Sequence, residues 1–332
     1  MKETICLLPV RLNLFDGNPN TNVTTQESLS PEMKTFYEKT LIDLAEPELV
    51  HDQFAQQRDI PPNNGKTIEF RQFDPLPELT EPLTEGVTPD GQSMSVKKLE
   101  ATVKQYGGYV TYSDQVKLTT YDNTIAQATK AVASQAGKTL DGITRDIINA
   151  GTVVQYADGK VSARADLYFT SKDDNCNLTV EAVRKAVRFL ENQDAPKIGG
   201  YYVGIIHPDC KYDLMSDPEW RKPHEYVDTE HLYKNEIGEV AGVRFVQATR
   251  AKKFDKAGAA GADVYSTLIL GDDAYGTTKI EGGGLEHIVK PLGSAGTADP
   301  LNQRGTVGWK ATKTAEILVQ QYMVRVETTA SK

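Results

Sequence analysis

Two extended runs flank a proline-rich, acidic stretch between residues 61 and 112, and this arrangement limits what the chain can fold into. Asn64-Gly65 is a turn signal, and Thr67 to Phe73 alternates Ile68 and Phe70 with Glu69 and Arg71, the period of a strand. Pro75, Pro77, Pro82 and Pro89 then interrupt any ladder, interleaved with Glu78, Glu81 and Glu85. A second run follows through Met94, Val96, Leu99, Ala101 and Val103. Its alternation changes phase at Lys97-Lys98, which predicts a bulge. Two strands joined by a stiff tip make a ribbon, and a lone ribbon is marginal in water because no third layer covers it. The expectation is a hairpin that packs on another subunit.

The remaining chain has enough material for a core. Its 332 residues amount to roughly two domains. With 39% apolar and 25% charged residues, a mostly disordered chain is excluded. The net charge of −9 argues against a protein whose main task is gripping nucleic acid, since that affinity comes from clustered Lys and Arg. It leaves room for a protein that sits beside nucleic acid. Cys6, Cys176 and Cys210 are odd in number and form no CxxC pair, so neither a disulfide framework nor a four-cysteine zinc site is expected, and a reducing compartment fits. No apolar run approaches the ~20 residues of a membrane span. Ile5-Cys6-Leu7-Leu8 is cut short by Pro9 and Arg11, so no signal-peptide core is read there and the expectation is a soluble, intracellular product.

Residues 1–29 are rich in Asn, Thr, Ser and Gln and read as an arm ordered by contact with something else. A helix should start at the Ser30 cap, with Pro31 and Glu32 in its first turn, and end before Pro47. The strongest helical signal covers residues 120–151. Asp122 is placed to cap it, Ile125, Ala128, Val132, Ala136, Leu140, Ile143 and Ile147 recur every three or four residues, and Gly151 can end it. Such a helix is ~42 Å long with a narrow apolar face, suited to spanning a thin layer. A second helix runs from the Thr179 cap to Asn192. Strands are expected at Tyr201–Ile206, Gly242–Ala248, Thr267–Leu270, His287–Lys290 and, as one piece, Ile317–Val326. Without βαβ regularity, the mixture reads as α+β.

Chemistry is sparse. Gly65-Lys66-Thr67 and Gly137-Lys138-Thr139 mimic the end of a phosphate loop, but Ile60 and Val132 stand where its first glycine belongs. On a helix, His224, Asp228 and His231 would share one face as zinc ligands with Glu225 as a base, yet Asp228 breaks the HExxH pattern. Asp272-Asp273 reads as an acidic turn rather than a Mg²⁺ site, and His207 ends a strand with no Ser or Cys nucleophile tied to it. Lys97 and Lys98 read as exposed hairpin charges rather than cross-linking sites. No catalytic residue, cofactor site or metal site is expected.

Several segments resemble a known family. They are Leu49-Val50-His51-Asp52-Gln53-Phe54-Ala55, Gly65-Lys66-Thr67-Ile68-Glu69-Phe70-Arg71, and the tip Pro82-Leu83-Thr84-Glu85-Gly86-Val87-Thr88-Pro89. Tyr112-Ser113-Asp114, Gln135 to Asp141, His207-Pro208 with Tyr212-Asp213-Leu214, Glu236 to Phe245, and Gly308-Trp309-Lys310 follow in order. Together these resemble the major capsid proteins of tailed bacteriophages, with the Johnson (HK-ninety-seven-like) fold, and most of all the N-four-type phage family. The arm at 1–29 and the loop at 224–231 fall outside the match.

The resemblance implies an arm with a short helix at 1–60 and an extended loop at 61–112 whose tip, Pro82 to Pro89, contacts a neighbour. It implies a peripheral domain at 113–199 built on the long spine helix, with the helix at 179–192 and the terminal strand beside it. An axial domain at 200–288 and a return to the peripheral domain at 289–332 complete the scheme. The implied function is self-assembly, as pentamers and hexamers, into an icosahedral shell in a virion, made in a bacterial host's cytoplasm. The shell would enclose double-stranded DNA without specific binding, with portal, scaffolding and decoration proteins as further partners and no membrane. The alternatives are an encapsulin-like nanocompartment shell and, in another class, a metal-dependent hydrolase using His224, Asp228 and His231.

Overall fold

The computed structural model describes Leu41, residues 49–59, 67–73 and most of 76–331. Residues 1–40, 42–48, 60–66, 120–123, 158–160, 172–174, 221–235, 280–284, 297–298 and 332, with parts of 74–90, lie outside the description. The expected arm, the Ser30-capped helix start, the Asp122 cap and the His224–His231 loop therefore lie outside the described residues.

In chain order, β1 (Gln56–Arg58) precedes the ribbon strands β2 (Thr67–Phe73) and β3 (Val96–Thr102). Then come β4 (Lys104–Ser113), the short helix α1 (Asp114–Thr119) and the long helix α2 (Thr124–Ile148). β5 (Val154–Tyr156), α3 (Val180–Asn192), β6 (Tyr202–Ile206) and α4 (Pro208–Ser216) follow. The chain continues through β7 (Glu236–Val240), β8 (Val243–Gln247), β9 (Lys253–Phe254), β10 (Val264–Leu270) and β11 (Tyr275–Thr278). It closes with β12 (Leu285–Lys290), β13 (Arg304–Lys313), β14 (Ala315–Ile317) and β15 (Met323–Thr328).

One layer pairs α2 with the antiparallel sheet β12-β13-β4. The helical spacing puts Val132, Ala133, Ala136 and Leu140 on one side, where they bury against Tyr112, Leu285, Val307, Trp309 and Ala311. Two alanines in that stripe let the helix sit close to the large indole of Trp309, whose Nε1–H donates to Gln135 Oε1 at 3.2 Å. Thr139 donates its hydroxyl back to the Gln135 carbonyl, so the Gly137-Lys138-Thr139 tripeptide is ordinary helix and not a phosphate nest.

The second layer is a seven-stranded mixed sheet whose main path is β5-β15-β10-β6-β8-β7, with β9 on β10. β5/β15 and β6/β8 are parallel and the other pairs antiparallel. Alternation sends Ile206, Ile269 and Val324 to the face covered by Val183, Val187 and Leu190 of α3. Ile205, Leu268, Leu270 and Met323 point the other way, toward Ile148 and Tyr275. With both faces covered, β6 and β10 are buried at every position; β6 reads as a near-continuous apolar run, whereas β10 carries Ser266 and Thr267 in its middle, with the Ser266 hydroxyl satisfied by Asn149. Thr179 caps α3 as expected, accepting from the Ala182 N–H.

Four sequence expectations change. First, β2 and β3 pair in unbroken register from Thr67↔Thr102 to Phe73↔Val96, so no bulge lies at Lys97-Lys98. Second, the ribbon ends at Thr102; β4 leaves it to pair with β13, so the hairpin is shorter than 61–112. Third, the run expected as one strand over Ile317–Val326 is split into β14 and β15 by a tight turn at Gln320–Tyr322. The split lets the chain change sheets: Ala315–Ile317 pairs with β11, whereas Met323–Thr328 pairs with β10 and β5. Fourth, α3 packs on the seven-stranded sheet with strands of 200–288, and β15 belongs to that sheet while touching α2 only at its end, through Met323 and Ile148; β12 of that range joins the α2 layer through β13. Periodicity reports each element's type but carries no information on which sheet receives it.

Candidate functional site

The ribbon's two ends have opposite character. At its root, Ile68, Phe70 and Ala101 are buried with Leu99, Val103 and Leu318 around them. Phe70 is 0% exposed, and its ring fills the space above Gly276 in β11, where a Cβ would come within 2.4 Å of Phe70 Cε1. Gly276→Ala therefore must push that ring out of its seat. We expect a loss of about 1–3 kcal/mol, the usual cost of overpacking, measured by urea unfolding against the parent.

Toward the tip the apolar face changes sides. Phe70 and Leu99 are register partners facing the body, whereas Val96 has the opposite parity and is exposed. Met94, Leu76 and Leu79 are exposed too, Leu79 by 80%. This accounts for the phase change in the sequence: the root must cover its own subunit, and beyond it a different face carries the apolar groups. Of the expected tip residues, Pro82, Gly86 and Thr88 are exposed; Leu83, Thr84, Glu85, Val87 and Pro89 lie outside the described residues. Gly86 has a φ of +80°, which only glycine adopts freely, so the tip carries a real turn. Lys98 is exposed and ion-paired to Glu69 at 2.5 Å and Glu100 at 2.8 Å, which raises its pKa, Glu100 first.

Other apolar groups are left uncovered nearby. Tyr109 and Val110 on β4 and Leu118 on α1 are exposed. Among the described residues β4 pairs on one side only, with β13, and so stands at the edge of its sheet. A sheet edge with exposed apolar side chains such as Tyr109 and Val110 can template pairing or docking. Sequence reasoning misses it because the alternation of β4 continues that of the hairpin.

A buried polar network fastens the segment before the ribbon to both helix and sheet. Asp141 of α2 accepts from the His51 backbone N–H at 2.8 Å and from His51 Nδ1 at 2.9 Å. Asp52 accepts from Thr144 Oγ1 at 2.6 Å and from Lys313 Nζ at 2.5 Å. The Tyr275 hydroxyl donates to the His51 carbonyl, and burial holds that phenol well above its ordinary pKa. In the sequence, His51 and Asp52 stand out only as part of a family-like segment. Their role could be suspected from two adjacent titratable residues amid apolar ones, but not their partners, which are 90 or more positions away.

Among the described residues the candidate chemistry does not assemble; His224, Glu225, Asp228 and His231 lie outside them. The Cys210 thiol is buried and pushed up to about 12 by desolvation, the wrong direction for a nucleophile. His207 caps α4, accepting at Nδ1 from the Asp209 N–H, and burial lowers its pKa. Asp273 accepts from Gln56 Nε2, and burial followed by the Asp272 charge raises its pKa. Among the described residues no group of three or more His, Cys, Asp or Glu could hold a metal. No described helix is long and apolar enough to cross a membrane.

Against known proteins, the model of a family described as "Phage capsid protein" matches residues 96–323. No curated protein matches the sequence. Among solved structures, the chain is similar to the capsid of Ralstonia phage GP4, with a TM-score of 0.65, 12% identity and coverage of 84% of this chain and 88% of that one. It is similar to the Cyanophage Pam1 capsid (TM-score 0.62, 13% identity, covering 97% and 99%). It also resembles the head of Helicobacter pylori bacteriophage KHP40 (TM-score 0.60, 11% identity, covering 100% of both chains). These likenesses show the expected HK-ninety-seven-like capsid fold and do not favour the nanocompartment or hydrolase readings. The family match spans more than two thirds of the residues, and the chain belongs to the phage capsid protein family, as a shell-forming component of a virion.

Proposed function

We propose that this capsid protein closes into pentameric and hexameric rings that build an icosahedral shell around double-stranded DNA. The observation that carries the reading is the ribbon: a root seated on its own subunit and a tip whose apolar groups have nothing of their own to cover. A head-to-tail contact of this kind propagates from copy to copy, and closes when its rotation closes. The tip, with Pro82, Gly86 and Thr88, contacts the neighbour, and the β4 edge with Tyr109 receives part of a neighbour.

In this reading α2 with β12-β13-β4 is the peripheral domain, and the seven-stranded layer with α3 and α4 is the axial domain that meets its copies around each vertex. The work is done by many contacts instead of a catalytic site. Portal, scaffolding and decoration proteins are the partners such a shell would recruit. Negative-stain microscopy of the expressed protein is the test. Closed particles wide enough for a packaged genome are expected; a monodisperse monomer at high concentration, or small shells holding protein cargo, would overturn the proposal.

A further inference from the structure

The chain is acidic, yet one stretch of its surface is not. Lys130, Lys138 and Arg145 of α2 are separated by two turns each and fall on one side of the helix, over roughly 22 Å at 1.5 Å per residue. The helix has two carboxylates. Asp141 is buried against His51, and Asp146 is held by Arg145 and Lys252, each at 2.9 Å. Arg145 Nη1 also donates to the Arg250 carbonyl at 3.0 Å, which fixes the turn after β8 beside the helix. Two shallow depressions meet at Arg250. One, of about 540 Å³, runs past Ser134, Lys138 and Thr139; the other, of about 300 Å³, runs past Arg145, Lys252 and Lys253. Lys253 is offset by Asp255 and Asp263, and the stretch gathers six cations, Lys130, Lys138, Arg145, Arg250, Lys252 and Lys253, within a chain of net −9.

We propose that Lys130, Lys138 and Arg145, continued by Arg250 and Lys252, form a stripe that binds the phosphate backbone of the enclosed duplex. The inference rests on the reading that the shell encloses DNA, and adds where the wall touches it. The walls between the cations are Ala131, Ser134, Gln135 and Thr139, small or polar, with no apolar pocket to anchor a protein side chain. Spaced cations on a polar floor suit a wet, sequence-independent contact to phosphate. The remaining surface, net acidic, keeps the duplex from adhering elsewhere.

The test is binding of a short synthetic duplex by the full-length, unassembled protein across a salt series. Lys130→Glu, Lys138→Glu and Arg250→Glu are combined, leaving Arg145 and Lys252 to hold Asp146. Affinity at low salt should fall about tenfold or more, and the slope of log K against log salt should flatten by about 2–3, near 0.9 per lost phosphate contact. A glutamine triple at the same positions, checked for native circular dichroism, guards against a misfolded variant and should lose part of the same slope. An unchanged slope in the folded triple, or no binding by the parent, overturns the stripe. So does loss of binding to poly-glutamate with duplex binding intact, which would make the stripe a protein-docking surface. Duplex binding is read before assembly, so a failure here is separate from a failure to form shells, which would sink the underlying reading instead.

Discussion

Excising residues 77–92 should yield a subunit that folds and cannot build shells. The groups that seat the ribbon, Ile68, Phe70, Leu99 and Ala101, all lie outside the cut, and β2 and β3 keep their register. The excised stretch contributes exposed residues such as Leu79 and Pro82 and no member of the buried cores among its described residues. Removing it therefore takes away little of the subunit's own burial, so the thermal transition should move by no more than a few degrees. Assembly is another matter. Each copy loses the contact it extends to a neighbour, and a closed shell repeats that loss at every position. The expected result is a soluble protein with native circular dichroism and no particles by negative-stain microscopy. Particles of normal size would show that the ribbon tip is not an assembly contact.

Lys313→Met should destabilise the subunit severely, more than Gly276→Ala does. The Lys313 ammonium and the Asp52 carboxylate are both buried, and Thr144 supplies the carboxylate's second partner. Methionine preserves the length of the side chain, so packing changes little while the carboxylate is left without its counter-charge. Breaking one side of a buried pair costs about 3–5 kcal/mol, because the orphaned ion has lost its water as well as its partner. Urea unfolding should show that loss directly. Lys98→Met removes pairs to Glu69 and Glu100 that lie in solvent, and should leave the unfolding midpoint within error. Equal effects from the two would mean that the buried network does not hold the segment before the ribbon.

The elements are more legible in the sequence than their placement. β2 is readable to the residue because its alternation is clean and one face is buried, and α2 is readable as a long helix, though not to its ends, because its stripe repeats over several turns. The apparent bulge at Lys97-Lys98 misleads because periodicity reports which face is apolar, not what covers it. A ribbon that leaves its own body switches faces without any fault in the ladder. The split at Gln320–Tyr322 is hidden for a related reason, since Leu318, Tyr322 and Val324 alternate across a turn as they would along a strand. His51 and Asp52 lie 90 or more positions from Asp141 and Lys313 and meet them only when β13 packs on α2, so no local pattern could join them. The family-like segments supply what local physics cannot, an overall order, but not the sheet that receives α3 and β15.

The position of β15 has a consequence for timing. It lies between β5 and β10, so the sheet's interior has a gap until residues 323–328 arrive, however long the earlier strands have been waiting. Closure of that gap is a long-range event, the kind that folds slowly. A growing chain thus carries its reaching ribbon well before it has a finished body to reach from. Synthesis itself sets the order: subunit first, then partners.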